Sequence, residues 1–260
     1  MLSGMSGTPH EKADLRASIR AARRARAERA EAELAHEADL AVESGSDSVG
    51  HGATEAPPGA AGRPGSRTLP GAARSAAEAL NAHASALIGE LRPAAVVGYA
   101  ALPGEPSVNA ALEDAARRLP VLLPATRKGE ALRLGRLHGR IAELPAKIWG
   151  IREPDEAAPA GEALARIPGS GPILVLVPGL AYDARGVRLG NGGGFYDRTF
   201  GPVGDLTEDG GSATAPVLSR LQFVGVCWDG ERTASLPRED WDLVVSAALT
   251  ETGLHETRSA

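Results

Sequence analysis

Between Pro172 and Pro178 the chain reads PILVLVP, five aliphatic residues bracketed by prolines. An uninterrupted run of that length reads as a strand buried on both faces. AAVVGYA (94–100), VLLP (121–124) and FVGVCW (223–228) repeat the pattern, and ALRLGRL (131–137) alternates as a half-buried strand does. Glu11 to Leu40 follows a different period, with Leu15, Ile19 and Ala22 at helical spacing among Ala, Arg and Glu. This predicts a long amphipathic N-terminal helix. Further helices are predicted over 75–91 and 109–119. Strands alternating with helices predict an α/β fold: a single domain spanning 1–260, with a mostly parallel central sheet flanked by helices. Two stretches carry neither period. Residues 45–73 have almost nothing to bury and several Pro and Gly breakers, and read as a disordered insertion; the Gly/Thr/Ser-rich 204–216 reads as a mobile loop.

Composition narrows the picture. Hydrophobic residues make up 43% of the 260, enough for a core, but aromatics only 3%, so Val, Leu, Ile and Ala must fill it. A net charge of −5 gives no reason to expect nucleic-acid binding. The start lacks a signal-peptide core, and no apolar run approaches a membrane span. The single cysteine, Cys227, sits in an apolar run, which predicts a buried inert thiol and a reducing, cytoplasmic setting. The six histidines show no zinc spacing, and no G-x-S-x-G elbow occurs. Arginines at 16, 20, 23, 24, 26 and 29, running into glutamates at 28, 31 and 33, read as a solvated helix face with one working edge.

The chemistry concentrates after the strongest strand. PGLAYDARGVRLGNGGGFYDR (178–198) holds six glycines and three arginines and ends on an aromatic pair and an aspartate. Glycines before a helix let backbone N–H groups converge on an anion, and the helix dipole adds attraction. Arg188 supplies a permanent charge, and Asp197 a carboxylate able to hold magnesium on a phosphate. The spacing matches neither the dinucleotide G-x-G-x-x-G nor a P-loop. Residue chemistry alone reaches a phosphate-binding loop with a metal carboxylate.

LVPGLAYDARGVRLGNGGGFYDR resembles the signature of the 5-formyltetrahydrofolate cyclo-ligase family. EKADLRASIRAARRA, GYAALPGEPSVNAAL, KIWGIREP and LPREDWDLVVSAALTETG resemble other family segments, in the same order along the chain. The resemblance implies ATP-dependent conversion of 5-formyltetrahydrofolate to 5,10-methenyltetrahydrofolate, with Mg2+ accompanying ATP. It implies no nucleic-acid, membrane or obligatory protein partner. Lys12 and Arg16, four apart on one helix face, together with Arg188, Leu189, Gly190, Asn191, Gly192, Gly193, Gly194, Phe195 and Tyr196, would bind ATP, Arg188 and Lys12 serving catalysis. Ala100, Glu105, Trp149 and Tyr196 would bind the folate, and Asp197 and Asp242 the metal. Glu105 would accept two hydrogen bonds from the pterin ring. Trp149 would stack on a ring of the folate, with a core tryptophan as the other reading. Arg188 and Asp197, as polar loop residues, are expected to be replaceable without loss of folding. Two other classes stay open here: a non-catalytic folate- or nucleotide-binding paralogue, and a sugar-phosphate isomerase or acyl transferase on a related fold.

The 45–73 stretch generates one prediction. Its replacement by a short Gly/Ser linker should leave melting temperature and catalysis nearly unchanged, and a large loss of either would show that it packs on the body.

Overall fold

The PILVLVP run becomes the middle of the molecule. The structure, a computed structural model, describes residues 9–45, 76–208 and 215–258. Its elements are α1 (Pro9–Gly45), α2 (Ala76–Leu91), β1 (Ala95–Val97), α3 (Asn109–Ala116), β2 (Val121–Ala125), β3 (Arg133–Arg136), β4 (Ala158–Pro159), α4 (Ala160–Ala165), β5 (Ile173–Pro178), β6 (Ala181–Asp183), β7 (Arg188–Leu189), α5 (Phe195–Phe200), α6 (Asp205–Glu208), α7 (Ala215–Leu218), β8 (Leu221–Val226), β9 (Arg232–Thr233), β10 (Ala247–Thr250) and β11 (Gly253–Glu256). The main sheet runs β11-β10-β8-β5-β1-β2-β3-β4. β10, β8, β5, β1 and β2 are parallel to their neighbours within that run, while β11, β3 and β4 add antiparallel edges. The mostly parallel α/β sheet expected from the sequence is therefore present.

Alternation along the parallel strands builds two cores. Val96, Leu174, Leu176, Val224 and Val226 face α2 and α3, meeting Leu80, Ala84, Ile88 and Leu112. Ala95, Val97, Ile173, Val175 and Val177 face the other way, onto Leu164 of α4, Phe200 of α5, Leu206 of α6 and Val217 of α7. Helices on both faces explain why these strands read as unbroken apolar runs. Cys227 is fully buried, and burial pushes its thiol pKa upward, as expected for an inert packing residue.

A small second sheet, β7-β6-β9, was not anticipated. Its β6–β7 hairpin occupies the first half of the glycine-rich stretch, where polar residues conceal the strand alternation. Asp183 holds the turn, accepting the N–H groups of Arg185, Val187 and Leu236. Gly186 has φ +81, and a Cβ there would lie 2.0 Å from the Val245 carbonyl oxygen. Leu15 and Ile19 of α1 pack over Leu180, Val187, Leu189 and Leu236. The C-terminal β10–β11 hairpin was also unanticipated.

The 204–216 stretch is not wholly a loop, since Asp205–Glu208 and Ala215–Leu218 are helical and Leu206 is buried. Residues 209–214, and the 46–73 part of the expected insertion, lie outside the described residues. Among the described residues, no helix is long and apolar enough to cross a membrane.

Two glycines test the packing. A Cβ at Gly225 of β8 would lie 2.4 Å from the Tyr182 ring, which is fully buried and anchored by its hydroxyl donating to the Val177 carbonyl. Gly225→Ala should destabilise by about 1–3 kcal/mol through overpacking. Gly89, exposed on α2 with open space around it, should gain about 0.5–1 kcal/mol as alanine. Chemical denaturation of the two variants checks both signs.

Candidate active site

The glycine loop begins beyond the carboxyl end of β5, the central parallel strand, where open α/β sheets place their ligands. Its backbone is divided by role. Arg16 Nε donates to the Gly190 carbonyl at 2.9 Å, Arg20 Nη2 to the Asn191 carbonyl at 2.8 Å, and Arg198 Nη2 to the Gly193 carbonyl at 2.6 Å. Three guanidinium groups thus hold the acceptors. Among the described residues, none of the N–H groups of Asn191 to Gly194 donates to another protein group. Asn191, Gly192 and Gly193 are exposed. Gly192 (φ +96) and Gly194 (φ +66) adopt the left-handed backbone that turns those amides together. A glycine loop with its carbonyls tied back and its amides unpaired is a cradle for an anion. α5 opens directly after Gly194 but has only six residues, so the loop amides and the arginines carry the attraction more than a helix dipole does.

Arg188 and Asp197 are one unit. Arg188 Nη2 reaches Asp197 Oδ1 at 2.8 Å and Oδ2 at 2.9 Å, and Nη1 reaches the Pro178 carbonyl. Asp197 Oδ1 also accepts the N–H of Leu243. Burial works most strongly against the Arg188 charge, but the Asp197 carboxylate together with Tyr182 and Tyr196 raises its pKa overall. Neither is the loop residue expected, since Arg188 lies in β7 and Asp197 in α5, and removing either would leave a largely desolvated charge behind. Two buried donors have no partner among the described residues, Arg188 Nε and the Tyr196 hydroxyl. The Arg188 guanidinium lies 5.4 Å from the Tyr196 ring centroid. Burial raises the Tyr196 pKa, so the hydroxyl stays a neutral donor.

Lys12 meets Asp242 at 3.3 Å and Glu239 at 3.4 Å. Asp242 Oδ2 also accepts the Glu239 N–H, while Oδ1 takes no hydrogen bond among the described residues. Because Leu243 N–H binds Asp197, the segment carrying Asp242 is docked against the glycine-loop aspartate. Asp242 Oδ1 and a second lone pair on Asp197 Oδ2 remain open, although among the described residues no group of three or more His, Cys, Asp or Glu side chains gathers to hold a metal ion.

Glu105 meets α1 two turns beyond the loop contact, its Oε2 accepting the Leu102 N–H and its Oε1 3.7 Å from Arg23 Nη1. Ala100 is buried in the core beside that segment. Trp149 is 60% exposed, which removes the core reading, and its ring meets Phe195 edge-on at 6.0 Å. Its φ of +60 holds a large residue in left-handed backbone beside the loop. Leu189 turns its side chain into the cluster beneath Leu15 and Ile19, so it offers a ligand no side chain.

The face of α1 differs from expectation. Ala22 is exposed, and the docked stripe is Lys12, Leu15, Arg16, Ile19 and Arg23. Arg23 is only 5% exposed. Arg20, Arg23, Arg198 and Glu231 went unnoticed as site residues. For Arg20 and Arg23 the signal was available, since they follow Arg16 by four and seven positions, on one helix face.

An α/β protein with an anion-cradling glycine loop at the carboxyl end of its central strand is the class these features define. A model of the 5-formyltetrahydrofolate cyclo-ligase family matches residues 63–251. A 5-formyltetrahydrofolate cyclo-ligase of Mycolicibacterium smegmatis is 32% identical over 194 residues, covering 71% of this chain and 87% of that protein. A probable 5-formyltetrahydrofolate cyclo-ligase of Caenorhabditis elegans is 33% identical over 107 residues, covering 39% of this chain and 50% of that one. The solved 5,10-methenyltetrahydrofolate synthetase of Aquifex aeolicus aligns over 70% of this chain and 82% of its own, at 25% identity and a TM-score of 0.48. The chain belongs to the 5-formyltetrahydrofolate cyclo-ligase family.

The Arg188–Asp197 pair yields a stability prediction. Asp197→Asn should cost about 3 kcal/mol, the lower end of the range for breaking a buried ion pair. Urea denaturation checks it, and wild-type stability would show that Arg188 finds another partner.

Proposed function

We propose that the chain catalyses the ATP-dependent closure of 5-formyltetrahydrofolate to 5,10-methenyltetrahydrofolate, releasing ADP and phosphate. The observation that carries this reading is the row of unpaired amides from Asn191 to Gly194, backed by arginines and continuous with Arg188. Phosphoryl transfer needs positioning and charge neutralisation more than a protein nucleophile, and this site offers donors and cations. The loop amides, Lys12 and the free edges of Arg16 and Arg20 would receive the triphosphate. The formyl oxygen of the substrate takes the γ-phosphoryl group from ATP. N10 then attacks the activated carbon and inorganic phosphate leaves, which closes the ring. Arg188 Nε and the Tyr196 hydroxyl, buried and unpartnered, would donate to oxygen atoms carrying the developing charge.

Asp197 and Asp242 would hold a magnesium ion, which when bound neutralises phosphate charge. Lys12 is then free to turn from Asp242 toward a phosphate. Glu105 would accept the 2-amino and ring N–H donors of the pterin, and Trp149 with Phe195 would cover a ring of the folate beside the loop. Ala100 would line the same pocket.

The direct test is the absorbance of methenyltetrahydrofolate formed from 5-formyltetrahydrofolate with and without ATP. Product that needs ATP supports the reading, and its absence with ATP and magnesium present would overturn it. The two substrate halves should separate by mutation. Glu105→Gln should weaken folate binding by about 1–3 kcal/mol, through one lost charged hydrogen bond and one opposed donor pair, and leave the ATP KM near wild type. Lys12→Ala should raise the ATP KM and leave folate affinity, measured by fluorescence quenching without nucleotide, unchanged.

A further inference from the structure

Arg23 sits on the docked stripe of α1 between two carboxylates and does not serve them equally. Its Nε donates to Glu231 Oε1 at 2.8 Å, and its Nη2 to Glu231 Oε2 at 2.8 Å and the Gly179 carbonyl at 2.6 Å. Glu231 is itself fixed, its Oε2 also accepting the Trp228 N–H. The remaining nitrogen, Nη1, faces Glu105 at 3.7 Å, attractive but too long for a hydrogen bond. The loop carrying Glu105 is pressed onto α1 at this residue. Gly104 has φ +79, and a Cβ there would meet the Arg23 carbonyl oxygen at 2.8 Å. The Gly104 carbonyl in turn accepts Trp228 Nε1, and Arg26 lies over the Trp228 ring. All three charged side chains are largely buried, so their mutual geometry is energetically significant.

We infer that Arg23 is a positioning residue for Glu105, and that Glu231 holds it at the distance where it orients the folate-reading carboxylate without occupying it. The inference rests on the reading of Glu105 given above. A guanidinium released from Glu231 would close on Glu105 as a two-point pair. The oxygens that should accept the pterin donors would then already be taken. Glu231 therefore acts as a competing acceptor that keeps Glu105 available.

The test is a double-mutant cycle on the full chain. Folate affinity is read by fluorescence quenching without nucleotide, ATP KM by turnover, and folding by thermal melting. Glu231→Gln preserves shape and should weaken folate binding about tenfold, the scale of one charge-assisted hydrogen bond, with ATP KM near wild type. The same substitution made on Glu105→Gln should add almost nothing, because its effect passes through Glu105. Arg23→Lys, which keeps the charge but not the fork, should behave as Glu231→Gln does and provides a second cycle if Glu231→Gln melts early. Equal losses in the wild-type and Glu105→Gln backgrounds would overturn the inference, as would a matching rise in ATP KM. If Glu105→Gln alone leaves folate binding unchanged, the assignment of Glu105 fails and the inference falls with it. A Glu105→Gln effect without coupling sinks the inference alone.

Discussion

The site depends on a polar docking of one helix. Among its described side chains, α1 contributes Leu15 and Ile19 to an apolar cluster, and its docked face makes hydrogen bonds through cations. Arg16 and Arg20 hold the glycine loop through its carbonyls, and Arg23 holds the end of β5 and faces Glu105. The Arg23 and Arg16 contacts are buried or half-buried and those of Arg20 exposed; as charge-assisted hydrogen bonds they are stronger and more directional than neutral ones. The helix consequently fixes two distant chain segments, residues 190–191 and residue 105, relative to each other. A hydrophobic stripe would attach the helix equally firmly but would not determine where backbone carbonyls point. Orientation of the loop amides is a by-product of where the arginines pull.

The charges of the candidate site also neutralise one another. Arg188 rests on Asp197 and Lys12 on Asp242 and Glu239. Buried or half-buried charges left alone would be costly. Pairing these groups with one another lets the fold hold them. Under the proposed function, binding would exchange partners, with phosphate replacing carboxylate at the cations and a metal replacing cations at the carboxylates. Such an exchange would favour a ligand that brings both signs of charge.

Much of the architecture was legible from the chain, and the exceptions have physical causes. β5 and β1 announce themselves because a strand covered on both faces must be apolar throughout, and β8 does so through its buried second half, Val224 to Val226. β6 and β7 do not, since a three-residue strand tied by Asp183 and arginine contacts leaves no alternation to read. At the site, Lys12, Arg16, Arg188 and the glycines were identifiable from a motif shared with a family. Arg23 was masked by its neighbours. In a helix with arginines at 20, 23, 24 and 26, composition cannot reveal which one is buried, and only the register set by Leu15 and Ile19 picks out position 23. Glu231 was invisible for another reason: its partner lies more than two hundred positions away.

The two ends of the main sheet have a consequence for the protein's behaviour at high concentration. One end is β4, a two-residue strand that includes Pro159, which has no amide to offer. The other is β11, four residues long, alternating between half-buried and exposed positions and carrying His255 and Glu256. Five parallel strands rich in Val and Leu form a surface that would template self-association if its flanks were open. A short proline-bearing strip on one side and a four-residue turn-back on the other, carrying His255 and Glu256 beside an exposed Leu254, deny an incoming chain a long continuous ladder. The sheet's guard against edge pairing therefore lies in its margins, in residues outside the candidate site.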